Sequence, residues 1–480
     1  MHRAGSELGD VEPAAFRAQL HELADWIADY RENITDLRVA PIDPPGSIQA
    51  ALPKRPPEEG EPFERIFDDF KRIIFPGIVQ WSHPEFMAYF GSTTTAPGME
   101  GEILASALNI NAMTWRTSPA ATELETVVLD WLRQWLGLPN DFGGVVYDTA
   151  SIGIMHALAV AREEAASDIR KRGMAGRSDL PQFRIYTSDQ SHSSVEKAAI
   201  ALGLGEENVC RVRSDARFRI DLPALRQTIE AERRQNLKPL AVVATVGTTS
   251  TASVDPVAEM AAICREHSMW LHIDGAYGAG LALLPECEWV REGWNEADSI
   301  VVNPHKMLFV PFDFSVLYVR NLERLRRVFS LVPEYLRGDT VAAEKNYMDY
   351  GVQLGRKFRA LKAWMVFRTF GRSGIAARIR DHLRLAGLLG QWIKADERFE
   401  LAAPIVMGVI CFRLIGRDPE KADAANSATV EAINASGRSY LTQTKLNGRT
   451  TIRLGLGNIL TKEEHLLRVW RLIQETASQV

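Results

Sequence analysis

Four cysteines in 480 residues, none in a CxxC pair, give this chain no disulfide framework. Cys210, Cys264, Cys287 and Cys411 are scattered, which suits free thiols in a reducing cytosol. No HExxH and no Cys/His cluster at zinc spacing occurs, so no metal site is expected. The longest apolar stretch, Leu401–Phe412, contains Pro404 and is too short to span a bilayer. Met1–Asp10 lacks the cationic-then-apolar order of a signal peptide, and a cytoplasmic location is expected. Neither sign of charge dominates: the formal net charge of -5 gives no reason to expect nucleic acid or an anionic membrane as partner. A complete GxGxxG after a strand is also missing, since Gly455-Leu456-Gly457 is only a fragment of one. There are no repeats and no low-complexity segment.

What remains is a globular composition, 46% hydrophobic and 24% charged, in a chain too long for one ordinary core. Phe16, Leu20, Leu23, Ile27 and Tyr30 fall at helical spacing between Pro13 and Glu32, with Asp10 as the expected cap. That stripe must be buried somewhere, and a second subunit is one place for it. Pro41–Pro62 reads as an extended linker and Phe63–Ile74 as helical. Trp81–Ser92 is rich in aromatics, which serves either core packing or a flat pocket wall. A helix is expected from Ser118 to about Leu136.

From about Gly143 to Asn303 strands alternate with helices, the pattern of an α/β domain with a mostly parallel sheet. Ligands of such a sheet collect at the carboxyl ends of its strands. After about Thr369 the pattern changes to a helix over Ile375–Ala395, a strand near Val406–Leu414 and a helix near Ala428–Ala435. Asn447-Gly448 signals a hairpin, and Thr461 with Glu464 a capping box for the last helix.

Four strand-end segments carry complementary chemistry. Ser299–Val302 is a buried strand that Pro304 breaks, presenting His305 and Lys306 beside the apolar Met307–Val310. Desolvation there lowers the pKa of an amine and makes it a better nucleophile toward an aldehyde. The competing reading is a lysine whose stem crosses apolar surface with its ammonium in water. Thr149-Ala150-Ser151, between a strand and a helix, can cradle a phosphate or serve as a plain cap. His192, at a similar turn, is either a capping or core residue or one that stacks on a planar group. Asp274 follows Leu271-His272-Ile273 and precedes the small Gly275 and Ala276. A carboxylate emerging from a buried strand needs a cationic partner, an arginine or a protonated ring nitrogen. A phosphate cradle, an acid, a small-residue patch and a buried lysine are the parts pyridoxal phosphate needs.

With FPGIVQWSHPEFMAYF, TSPAATELETVVLDWL, YTSDQSHSSVEKA, ATVGTTSTASVDP, WLHIDGAYG, NPHK and LGRKFRALKAWMVFR in order along the chain, the sequence resembles the group II pyridoxal-phosphate decarboxylases. Within them it resembles the aromatic L-amino-acid decarboxylases, from the first helix to the last. The resemblance implies a fold type I (aspartate aminotransferase-like) architecture: an N-terminal helical segment and linker over 1–84, a large cofactor-binding α/β domain over 85–370 and a small α+β domain over 371–480. It implies that Lys306 binds the cofactor aldehyde, that His192 stacks on the pyridine ring and that Asp274 pairs with the ring nitrogen, with Ala276 on the other face. Ala150, Ser151, Thr249 and Asn303 would hold the phosphate, and His305 would lie next to the lysine. The family places its active site at a homodimer interface and carries a loop tyrosine, here Tyr335, that protonates Cα after CO2 leaves. Related aldehyde synthases carry phenylalanine there, so Tyr335 favours simple decarboxylation over oxidative conversion to an aldehyde.

Trp81, Phe86, Tyr89 and Phe90 match the aromatic pocket region of the family. Gly355 falls where plant relatives vary between glycine and serine, and its missing side chain leaves room for an indole. Tryptophan, 5-hydroxytryptophan and DOPA are all candidate substrates, with tryptophan or another bulky aromatic ahead. The chain also departs from the pattern. Gly91 stands where animal enzymes have proline, Asn111 and Met113 replace apolar and aromatic residues of the partner subunit, and Met307 replaces a tryptophan. Tyr147-Asp148 and Ile152 differ from the usual residues beside the cradle.

Overall fold

Short β-branched runs with no polar alternation need cover on both faces, and the sheet they build is enclosed. The computed structural model describes residues 9–331, 344–416 and 418–479. Seven strands, β1 (Phe142–Tyr147), β2 (Phe183–Ser188), β3 (Val209–Val212), β4 (Lys238–Thr245), β5 (Trp270–Asp274), β6 (Ser299–Val302) and β7 (Ser315–Arg320), form one sheet in the order β1-β7-β6-β5-β4-β2-β3. Every residue of β5 and β6 is buried. Strand β7 runs against both neighbours, with Leu317 opposite Val145 on one side and Val301 on the other. Strands β1 to β6 therefore all point the same way, and their carboxyl ends share one edge. A mostly parallel sheet with helices packed on it is the α/β architecture that the resemblance implies.

Helix Ala150–Ala165 returns from β1 and lies close on the sheet. A Cβ at Gly153 would stand 2.9 Å from Val301 Cγ2, so any side chain there would lift the helix off β6. The end of β4 is fixed by Asp255, whose two oxygens accept the Ile220 N–H (2.7 Å) and the Thr245 N–H (2.8 Å). Burial raises that carboxyl to about 6. Two helical stretches share the span Ala360–Ala395, separated by a kink at Gly371, whose φ 60° and ψ 172° are not helical, so the second starts a few residues before the expected Ile375 and the first was not expected.

Burial also holds His156, His272 and His305 down to about 3, so all three are neutral in the folded protein at neutral pH. Unfolded, each takes up a proton near 6.5. Below that value the unfolded chain binds more protons than the folded one, so stability present above pH 6.5 is lost as pH falls toward 3. Each site contributes a slope of up to about 1.4 kcal/mol per pH unit. Asp255, raised from 3.8 to about 6, works in the opposite direction, one group against three. Urea denaturation is expected to show a lower midpoint at pH 5.5 than at pH 7.5, and equal midpoints would contradict neutral burial of these rings.

The chain divides into two compact units, and the sheet lies in the one that spans Phe90–Phe412 with Gly455–Ile459. The other gathers the chain up to Tyr89 with Arg413–Leu454 and the chain from Leu460 onward. In it, helix Pro13–Glu32 sets Trp26 edge-on against Phe70 and Phe75, both at 5.2 Å. The first half of its stripe stays uncovered, with Phe16 52% and Leu20 44% exposed. Asp10 does not cap this helix: the cap position is Glu12, and Asp10 accepts the Val11 N–H instead. It lies too far upstream of Pro13 to reach the first-turn amides.

Asn447 and Gly448, both at positive φ, make the expected two-residue turn, pairing Leu446 with Arg449. The capping box falls elsewhere than expected. Helix Glu463–Ala477 starts after Lys462, whose N–H is accepted by His465 Nδ1 at 2.9 Å. The Thr461 hydroxyl donates instead to the Pro84 carbonyl, 2.8 Å away.

Candidate active site

A cavity opens at the shared carboxyl edge of the sheet, and each wall comes from a different strand end. After β1, Thr149, Ala150 and Ser151 line it at the start of helix Ala150–Ala165. The first-turn amides of a helix have no acceptor within it and favour an anion there. Asp148 accepts the Thr149 N–H at 2.7 Å, and no side chain caps the amides that follow.

After β2 comes His192. Its Nδ1 accepts the Ser194 N–H at 3.1 Å and lies 2.9 Å from Ser194 Oγ. That places the ring proton on Nε2 in the neutral form. Burial lowers the pKa of this histidine and Lys306 lowers it further, while Asp274 opposes both. Ser194 and Gly247, the latter from the turn after β4, also line the cavity.

Asp274 ends β5, opposite Thr245 in the sheet register. It is 6% exposed, and its Oδ1 accepts the Ala276 N–H at 3.1 Å. After β6, Asn303 accepts the Ser315 hydroxyl on Oδ1 at 2.6 Å, which leaves Nδ2 as the donor it can offer. His305 Nδ1 accepts the Phe314 N–H at 2.9 Å, so this ring stays neutral next to Lys306. Lys306 Nζ stands 4.7 Å from the centre of the Phe90 ring, which is stacked on Tyr277 at 4.0 Å. The ammonium thus sits over an aromatic face.

Of the residues expected at the cofactor, Ala150, Ser151, His192, Asp274, Ala276, Asn303, His305 and Lys306 line this one cavity. Thr249 is not among the lining residues, and its N–H donates to the Gln190 carbonyl. Of those expected at the substrate, Phe90 lines the cavity. Gly91 packs backbone against backbone on Gly457, where a Cβ would meet Cα at 2.9 Å. Asn111, Met113 and Gly355 form a separate group: Asn111 Oδ1 accepts the Arg356 N–H at 2.9 Å, and Nδ2 lies 3.5 Å from Met113 Sδ. Trp81, Phe86 and Tyr89 belong to the other unit, where Trp81 packs on Phe86 at 4.5 Å and stacks on Tyr89 at 5.5 Å. Tyr335 lies outside the described residues.

Sequence reasoning missed Tyr277, Ser194 and Gly247 as lining residues. Each lies within three residues of a position it did identify, and adjacency on a turn was the one available signal.

An anion cradle, a nearly buried carboxylate, a methyl-sized neighbour and an amine converging on one cavity fit pyridoxal 5'-phosphate. No group of three or more His, Cys, Asp or Glu among the described residues could hold a metal ion. These features define a pyridoxal-phosphate enzyme. Residues 45–415 match the model of the pyridoxal-dependent decarboxylase conserved domain, and the chain belongs to that family of carboxy-lyases. It is 36% identical to the aromatic-L-amino-acid decarboxylase of Bos taurus, over 98% of this chain and 97% of that one. It is 34% identical to the phenylacetaldehyde synthase of Arabidopsis thaliana, over 99% and 98%. A crystal structure of the Oryza sativa enzyme TDC with pyridoxal phosphate and tryptamine superposes with a TM-score of 0.93 at 33% identity, covering 98% of this chain and 99% of that one.

Proposed function

We propose that this carboxy-lyase removes CO2 from aromatic L-amino acids and releases the arylalkylamine. The observation that carries the reading is the convergence of Lys306, Asp274 and His192 on a cavity walled by the rings of Phe90 and Tyr277. Relatives of both kinds, decarboxylase and aldehyde synthase, span nearly the whole chain. When bound, pyridoxal phosphate supplies the electron sink for the pair left on Cα as CO2 departs.

The chain's own residues do the rest. Lys306 is the amine that would hold the cofactor aldehyde. Asp274 would keep a proton on the pyridine nitrogen, and the His192 ring would pack on the cofactor ring. The first-turn amides after Thr149 would hold the phosphate. Tyr335 delivers the proton to Cα, which completes an amine. Phe90 and Tyr277 wall the cavity beside Lys306, and Gly355, where an added Cβ would meet only Asn111 Nδ2 at 3.9 Å, would leave room for tryptophan or another bulky aromatic where a second subunit brings that group to the cavity.

Exposed apolar residues support a homodimer: Phe16 and Leu20 on the first helix, and Ile103, Leu104 and Leu108 on helix Ala96–Leu108. Light scattering should give twice the chain mass of 53.6 kDa. The four cysteines are free, which supports a cytoplasmic location.

Product analysis in air with L-tryptophan, 5-hydroxytryptophan, L-DOPA, tyrosine and phenylalanine tests the reading. Amine and CO2 in equal amounts, without peroxide, are expected. Aldehyde, ammonia and peroxide would replace it with the aldehyde synthase reading that the Arabidopsis relative suggests. Tyr335→Phe should shift product from amine toward aldehyde, and an unchanged product ratio would remove Tyr335 from the proton-donor role.

A further inference from the structure

Strand β1 is an edge strand, so the polar groups of its outer side have no neighbouring strand to bond. At Val146 both are taken by one buried ion pair. Glu125 Oε1 accepts the Val146 N–H at 3.1 Å, and Arg356 Nη2 donates to the Val146 carbonyl at 2.9 Å. The two side chains meet each other twice, at 2.7 and 3.0 Å, and are 2% and 7% exposed. Arg356 Nη1 donates to the Ala112 carbonyl as well, and the Tyr347 ring lies over the guanidinium at 4.7 Å. A buried pair so fully hydrogen-bonded holds its surroundings in one arrangement, because breaking any part leaves an uncompensated charge.

The same stretch of chain touches the next turn of structure. Tyr147, at the end of β1, donates its hydroxyl to the Tyr350 carbonyl. His156, in the second turn of helix Ala150–Ala165, lies edge-on to Tyr147 at 4.6 Å, and its Nε2 accepts the Val352 N–H at 3.4 Å. Between these contacts, Gly351 fits with no room to spare. A Cβ there would stand 2.8 Å from His156 Cε1 and 3.1 Å from Tyr147 Cε1.

We infer that Tyr347–Arg356 is a brace for the phosphate cradle. It grips the strand before the cradle and the helix after it, and so fixes where Thr149, Ala150 and Ser151 meet the cofactor phosphate. Arg356 is its positioning residue, and Gly351 is the contact that lets it seat. The inference rests on pyridoxal phosphate being the ligand of the cavity, and none of Gly351, His156 and Arg356 lines that cavity.

The test is the affinity of the apoprotein for pyridoxal phosphate and for pyridoxal, followed by absorbance. Gly351→Ala should weaken pyridoxal phosphate binding at least about tenfold, since misplacing a contact by about an ångström is enough for such a loss. Binding of pyridoxal, which has no phosphate, should stay unchanged. His156→Ala added to Gly351→Ala makes room for the new methyl and should restore most of the affinity. Arg356→Lys, which cannot reproduce the bidentate pair and both carbonyl contacts, should repeat the selective loss and serves if Gly351→Ala does not fold.

Equal affinity in the folded variants, or equal losses for both ligands, would overturn the brace. Wild-type protein that binds no pyridoxal phosphate would overturn the reading beneath it. Wild-type binding without a selective loss in the variants would overturn the brace alone.

Discussion

Lys306→Ala protein is expected to turn over aromatic amino acids at least about a thousandfold more slowly than wild type, the scale seen when a covalent catalytic group is deleted. Borohydride should fix no cofactor to it. The effect is large because the cavity has no substitute: among its described lining residues Lys306 is the single lysine. The flanking His305 has no primary amine to condense with an aldehyde, and its Nδ1 is taken by the Phe314 amide. Folding should survive, because the side chain lies over Phe90 and does not fill the core beneath β6. Turnover retained in the alanine variant, with the fold intact by circular dichroism, would sink the central assignment.

The second large effect belongs to Asp274. Asp274→Asn keeps the shape and can still accept the Ala276 N–H on Oδ1, so charge is almost all that changes. A neutral amide cannot hold a proton on the pyridine nitrogen, and the loss of a preorganised charge in a water-poor site costs on the order of 10²–10³ in rate. The expected pattern is a fall in kcat with cofactor still bound, since the first-turn amides after Thr149 are untouched. A variant within about threefold of wild type would show that the ring nitrogen needs no anionic partner here.

How far the sequence led depended on whether a residue's role was local. Strands β5 and β6 were legible because buried strands are mostly apolar, and Asp274 and Lys306 because one ends such a run and the other stands just past the proline that breaks one. The hairpin at Asn447-Gly448 was legible because its two residues adopt positive φ. The capping box was not: Thr461 and Glu464 had the right spacing, but a tertiary bond to Pro84 claims the hydroxyl. Nor could the sequence reveal that β7 inserts between β1 and β6, which follows from pairing with chain about 170 residues away. Arg356 and Glu125 are as distant, and nothing in either neighbourhood announces a buried pair. Asn111 was legible as a departure, yet its bond to the Arg356 amide was not.

The inserted strand has a consequence of its own. Since β7 runs backwards, the loop that enters it from β6 lies at the shared carboxyl edge and carries Asn303, His305 and Lys306, while the two strands that deliver the anion cradle and the amine stand two spacings apart, about 10 Å. The sheet therefore sets the anion cradle and the amine on different strands of one edge. A free phosphate or a simple aldehyde meets one of the two groups, whereas a ligand carrying both an aldehyde and a phosphate arm can answer both. Selection for the cofactor is written partly in the order of the strands, before any side chain is chosen.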